Sequence, residues 1–218
     1  IMATLEELRN EIKTPLNDTS ILDEEIDSKI NACLRQVARK LLFPALESSG
    51  VFTTELSKCE VAIPDDWDFS RNLFKGAVPD RTPITIYSSI NLLAQQFPTY
   101  DVDMEVGSIK GLAIRGGNIV YYPIPDVATD VTCKYYKAPS PLVADTDVPD
   151  FIPEDMQIDL IVNFVLWKIW ARIEDGLEGL KVNTNYHKKE FLDFFNELDD
   201  HIDSGQSRPD PERDSSWI

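Results

Sequence analysis

Apolar residues change period twice along this chain. They recur at helical spacing as Leu5, Leu8 and Ile12, and again as Ile26, Ile30, Leu34, Val37 and Leu41. Such stripes mark amphipathic helices with one buried face. Thr4 and Glu7 have the spacing of a capping box at the first helix, and Pro15 marks its stop. Asp23 is placed to cap the second helix, with Glu24 and Glu25 in its first turn, and Pro44 ends or kinks it.

After Gly50 the period shortens. Residues 51–54, 59–63, 84–87, 109–115, 118–122 and 129–137 alternate or are rich in β-branched and aromatic residues, as strands are. The pair Gly116-Gly117 suits a hairpin turn. Residues 64–68 read as a turn carrying Trp67, and 70–83 as a loop without period. Ser88 is placed to cap a short helix holding Ile90, Leu92, Leu93 and Phe97. The result is a small, mostly antiparallel sheet of about four to six strands. The Tyr121-Tyr122 and Tyr135-Tyr136 pairs put one ring on each sheet face, one for the core and one for an interface.

Residues 138–153 are rich in proline and aspartate and read as an extended, exposed loop. A helix then begins near Glu154. From Ile158 to Ile173 it is apolar on most of its circumference, so it must be buried on several sides. Gly176 and Gly179 suit its end. A last helix begins near Asn183 or Asn185 and aligns Phe191, Phe194, Phe195, Leu198 and Ile202. Residues 204–218 show no period and the composition of a disordered tail, yet end in Trp217-Ile218. The expected fold is α+β, mainly α. A four-helix bundle (1–50 and 150–203) carries an inserted antiparallel β-rich subdomain (51–137), a Pro/Asp-rich loop (138–149) and a flexible tail (204–218).

Charge changes this picture more than composition does. The net charge of −17 opposes wrapping of nucleic acid, which needs clustered Lys and Arg. It is read as solubility, or as the wall of a ring that DNA crosses without sticking. The apolar run of the long helix is broken by Asp159, Asn163, Lys168 and Arg172 and is too short and polar to span a bilayer. The first residues lack the basic flank and apolar core of a signal peptide. Cys33, Cys59 and Cys133 are scattered in apolar contexts, as reduced thiols are in a cytoplasmic protein.

Candidate chemistry is sparse. No phosphate-binding loop, dinucleotide fingerprint, zinc-protease pair or nucleophile elbow is present. His187 and His201 are too far apart on one helix to share a metal, and both read as surface residues. Asp101, Asp103 and Glu105 alternate, but Val106 stands where a calcium loop wants glycine. Asp65, Asp66 and Asp68 flank Trp67 without a visible nucleophile or base partner. Arg35 and Arg39, one turn apart, read as a solvated face. No catalytic, cofactor or metal residues are assigned. Arg208, Arg213, Trp217 and Ile218 are candidate partner contacts: the tryptophan would fill a pocket and the arginines would pair at its rim.

One order of parts resembles a known family. It comprises the strand after Gly116-Gly117 ending Tyr122-Pro-Ile-Pro125 and the Tyr135-Tyr-Lys-Ala-Pro139 strand. The Asp-rich loop with Leu142 and Asp147-Val-Pro149 follows, then Ile152-Pro153 opening the long helix. With the opening Leu5-Glu-Glu-Leu-Arg9 helix, this order is similar to that of the head-to-tail adaptor, or connector, proteins of tailed bacteriophages. The resemblance implies a structural protein of the virion neck, made in the host cytoplasm, of a short-tailed phage. Its implied partners are the portal protein, tail proteins and further copies in a twelvefold ring, with genomic DNA passing without tight binding and no membrane. Two other readings stay open: a protein-binding scaffold that forms no ring, and a hydrolase using carboxylates such as Asp65 or Asp101.

Overall fold

The computed structural model describes residues 2–16, 21–68, 73–79, 82–98, 100, 105–175 and 181–205. Its helices are α1 (Leu5–Leu16), α2 (Asp23–Lys40), α3 (Ile90–Gln96), α4 (Glu154–Ile173) and α5 (Val182–Gly205). Its strands are β1 (Glu47–Thr53), β2 (Glu60–Ala62), β3 (Lys75–Ala77), β4 (Pro83–Tyr87), β5 (Gly111–Arg115), β6 (Asn118–Tyr122) and β7 (Asp130–Tyr136). They divide into a helical unit, up to Phe43 and from Pro139 onward, and a β unit from Pro44 to Ala138.

In the helical unit α1 opens on the reciprocal box its sequence encodes. Thr4 N–H donates to Glu7 Oε2 at 2.9 Å, and Glu7 N–H donates to Thr4 Oγ1 at 3.2 Å. The helix runs one residue past Pro15. The residue that caps α2 is Leu22, with no side-chain bond, so Asp23 sits inside the first turn and acts through its charge. Around α4, the buried residues Met156, Leu160, Ile161, Phe164, Val165, Leu166 and Ile169 cover most of the circumference. The stripes of α1 and α2 and the buried face of α5 (Phe191, Leu198, Ile202) all pack on it.

This arrangement corrects the expected four-helix bundle. A bundle needs each helix to border two neighbours around a shared core. Here α5 takes α4 as its principal helical neighbour, and α4 is the hub about which the others are set. A helix apolar all round favours a hub position over membership of a ring of equals.

The loop after Ala138 is not simply extended and exposed. Leu142 is buried, and Asn31 grips its backbone both ways, donating to its carbonyl at 3.0 Å and accepting from its N–H at 2.8 Å. The Asp147 carboxylate accepts from Val143 and Ala144 N–H, closing a turn. Arg9 donates from two nitrogens to Asp27, at 2.6 and 2.7 Å, and from a third to Asp145 at 2.5 Å. That fork joins α1, α2 and the loop. Gln157, fully buried on α4, accepts from Ala3 N–H at 2.8 Å and donates to the carbonyls of Ile152 at 2.9 Å and Pro149 at 3.3 Å.

The β unit also departs from expectation. One seven-stranded sheet runs β1-β7-β3-β4-β5-β6-β2. It is mixed, because β4 and β5 run parallel across the connection that contains α3, as a crossover requires. β3 falls where no strand was expected; backbone pairing with β4 and β7 holds it, not a side-chain period. β1 begins at Glu47, four residues before the alternating segment, because its polar first half pairs fully with β7. Ser89, not Ser88, caps α3, accepting from Leu92 N–H. Gly116 and Gly117 take φ values of +56° and +91° in the β5–β6 turn, a region glycine enters freely.

One face of the sheet holds a core of Phe52, Trp67, Leu112, Ile119, Tyr121, Val131, Cys133 and Tyr135. α3 covers the other face through Leu93 against Ala113 and Val120. Both members of each tyrosine pair are therefore buried, and neither leaves a ring for an interface. Tyr122 packs on Phe97 with centroids 5.1 Å apart, and Tyr136 on Phe74 at 4.9 Å.

Trp67 lies flat over β1. A Cβ added at Gly50 would sit 2.2 Å from Trp67 Cε2, and the indole cannot retreat because it stacks on Tyr135 at 5.3 Å. Gly50→Ala should therefore cost about 1–3 kcal/mol through overpacking. Urea unfolding followed by Trp67 environment-sensitive fluorescence would show it; an unshifted midpoint would mean that the indole moves freely.

Candidate docking surface

One carboxylate ties the end of α4 to the start of α5. Glu174, at the end of α4, accepts from Asn183 N–H (3.1 Å), Thr184 N–H (3.0 Å), Asn183 Nδ2 (3.0 Å) and Thr184 Oγ1 (2.6 Å). These donors form the first turn of α5, where unpaired N–H groups and the helix dipole favour an anion. The Thr184 hydroxyl above all, then the backbone N–H groups, holds Glu174 below the usual carboxylate range against the opposing effect of burial. A depressed folded pKa means stability present above the unfolded value and lost as pH falls through the folded one. Glu174→Gln should thus lower Tm at pH 7. The two proteins should converge as pH falls below the usual carboxylate range, which thermal unfolding monitored by circular dichroism would check.

The staple presents an aromatic and cationic face. Trp167 is half-buried and stacks on Phe191, with centroids 5.9 Å apart. Lys168 Nζ stands 3.6 Å from the Trp167 ring centroid, and Lys188 Nζ 5.8 Å from the same centroid. Burial, then the charges of Lys188 and Lys29, push the Lys168 amine down. Among the described residues neither Lys168 nor Lys188 has an ion pair, whereas Lys29 and Arg172 share Glu25. Exposed Tyr186 and Leu192 and half-buried Trp170, Phe194 and Phe195 lie on the same two helices. Such a face offers apolar area and cations to a partner carboxylate.

The residues singled out from sequence fare differently. Asp65, Asp66 and Asp68 are exposed on the turn that Trp67 anchors. Glu105 is exposed and accepts from the Tyr122 hydroxyl at 3.0 Å, while Asp101 and Asp103 lie outside the described residues. Arg208, Arg213, Trp217 and Ile218 also lie outside them. His201 is exposed, but His187 is half-buried with Nδ1 2.8 Å from Asn163 Oδ1. Asn163 Nδ2 donates to the Asp159 carbonyl, so its Oδ1 accepts from His187, and burial lowers the histidine pKa. Cys33 and Cys133 are buried and all three cysteines are free; burial pushes the Cys133 thiol up to about 12. No group of three or more His, Cys, Asp or Glu among the described residues could hold a metal ion. No described helix is long and apolar enough to cross a membrane.

Sequence reasoning missed Glu174, Gln157 and the Lys168–Trp167–Lys188 group. Only the Glu174 role had a local signal, an acid before the Asn183-Thr184 start of the last helix. Comparison with protein families matches residues 3–213 to the model described as SU10 adaptor protein. Comparison with curated proteins finds no match.

Proposed function

Because this chain belongs to the SU10 adaptor protein family, we propose that it is a bacteriophage structural adaptor that assembles as a ring beneath the portal vertex. The ring extends the DNA channel and presents the surface to which tail proteins attach. The observation that carries this reading is the family match, which spans nearly the whole chain. The aromatic and cationic face of α4–α5 supports a protein-binding role. Twelvefold symmetry matching the portal and a short-tailed virion belong to the same proposal. Trp217 and Ile218, with Arg208 and Arg213, are proposed to anchor a docking arm on a neighbour or the portal.

Electron microscopy of the chain mixed with its portal protein tests the ring. Closed rings coaxial with the portal are expected, and a chain that stays monomeric and unattached would overturn it. Truncation after Asp203 should leave melting unchanged while reducing ring yield; equal loading by both forms would remove the arm. With a net charge of −17, the chain alone should show no gel shift with duplex DNA at physiological salt. A tight, salt-sensitive shift would contradict a wall that DNA slides past.

A further inference from the structure

The β sheet ends on one side in a strand whose outer edge is open. In antiparallel pairing, successive residues point their N–H and C=O groups alternately toward and away from the neighbour. Thr54 N–H donates to Thr129 O, and Lys137 N–H donates to Leu46 O, so the even-numbered residues of β1 face β7. Glu47, Ser49, Val51 and Thr53 therefore direct their backbone groups away from β7. Among the described residues nothing pairs with those groups, and all four residues are exposed, Val51 at 54 %.

Open edges are ordinarily blunted by lysine, proline, a bulge or brevity. The opposite edge of this sheet obeys that rule: β2 has three residues, and its Glu60 is ion-paired to Arg115 at 2.8 Å. β1 has seven residues, and from Ser48 to Thr54 none is charged. In a chain of net charge −17 this is a stretch that a second copy can approach without placing carboxylate against carboxylate.

We infer that β1 is a self-association edge, on which β1 of a second copy of this chain adds antiparallel about a two-fold axis at Gly50. That register sets Ser49 against Val51 and Glu47 against Thr53, so each outward residue meets another outward residue and no like charges oppose. The contact is isologous and closes at two copies. It is independent of the ring reading, which needs a head-to-tail contact.

Charge sets a signature for this occupant. Two copies at −17 repel at long range, and salt screens that repulsion. The dimer should tighten at least about threefold between about 50 and 500 mM NaCl, whereas a basic strand from another protein would bind more weakly as salt rises. Sedimentation of the full chain measures this. Val51→Lys, at an exposed position where it leaves the fold intact, should weaken the dimer at least about tenfold. Leu92→Lys, 43 % exposed on α3 over β4 and β5 and several strands from β1, should not change it. Hydrogen exchange should show the amides of Ser49, Val51 and Thr53 slowed in the dimer and fast in the monomer. A chain that stays monomeric at high concentration and salt overturns the inference. So does a dimer indifferent to Val51→Lys, or one whose edge amides still exchange fast. Protection that appears only with portal protein present also overturns it, and would assign the edge to a partner strand. None of these outcomes bears on whether rings form on the portal.

Discussion

Replacing Phe164 with aspartate should unfold the helical unit or leave it close to unfolding. Phe164 is 2 % exposed at the centre of α4. Its ring meets Phe191 edge-on at 5.2 Å and Trp167 at 5.8 Å, so it joins the hub helix to α5. Truncation alone, as in Phe164→Ala, should cost about 3–5 kcal/mol. Aspartate adds a carboxylate with no hydrogen-bond donors prepared for it, and the total should exceed the alanine value by about 1 kcal/mol or more. Lys168 Nζ, 5.2 Å from the Phe164 centroid, is the cation able to soften that penalty. Urea unfolding of both variants decides the matter. An aspartate variant as stable as the alanine one would mean that Lys168 swings in to pair with it, and one as stable as wild type would mean that α4 is no hub.

The second large effect concerns a polar residue. Gln157→Leu roughly keeps volume but removes the amide, leaving the Ala3 N–H and the Ile152 carbonyl without their partner, while the Pro149 carbonyl keeps the Ile152 N–H at 3.1 Å. At about 1–3 kcal/mol for a buried group left unsatisfied, a loss of about 3 kcal/mol or more is expected. Gln157→Glu retains an acceptor for Ala3 but loses the donor, and should be destabilised for that reason and for burying a charge. Hydrogen exchange at Ala3 gives the local readout. If the amide stays protected in Gln157→Leu, the N-terminal segment is held by something other than this side chain.

These two residues lie on the same helix, yet only one was legible in the sequence. Phe164 belongs to an apolar run whose burial follows from its composition. Gln157 looks like an ordinary polar residue in a first turn; its role exists only because Ala3, 154 positions away, is brought to it. Arg9 is similar. Its fork on Asp27 and Asp145 depends on three segments meeting, and no spacing in the chain announces it. The docking face shows the same division. Trp167 and Phe191 were visible as apolar positions, but the pairing of Lys168 with Lys188 over one indole depends on how α4 and α5 cross.

The helices, the Gly116-Gly117 hairpin and most strands were written locally, because period, caps and turn residues act over a few positions. So was the resemblance to phage adaptors, carried by an ordered string of short motifs and matched by the family comparison over residues 3–213. What tertiary structure alone decided was everything set by partners distant in sequence. α4 became a hub instead of one member of a four-helix bundle, because nothing in a helix's own stripe states how many neighbours it has. β3 formed, β1 reached back to Glu47 and β4 joined β5 in parallel, because backbone pairing needs no side-chain pattern. Both tyrosine pairs were enclosed by residues remote from them in sequence, Tyr122 by Phe97 and Tyr136 by Phe74, which alternation alone could not show.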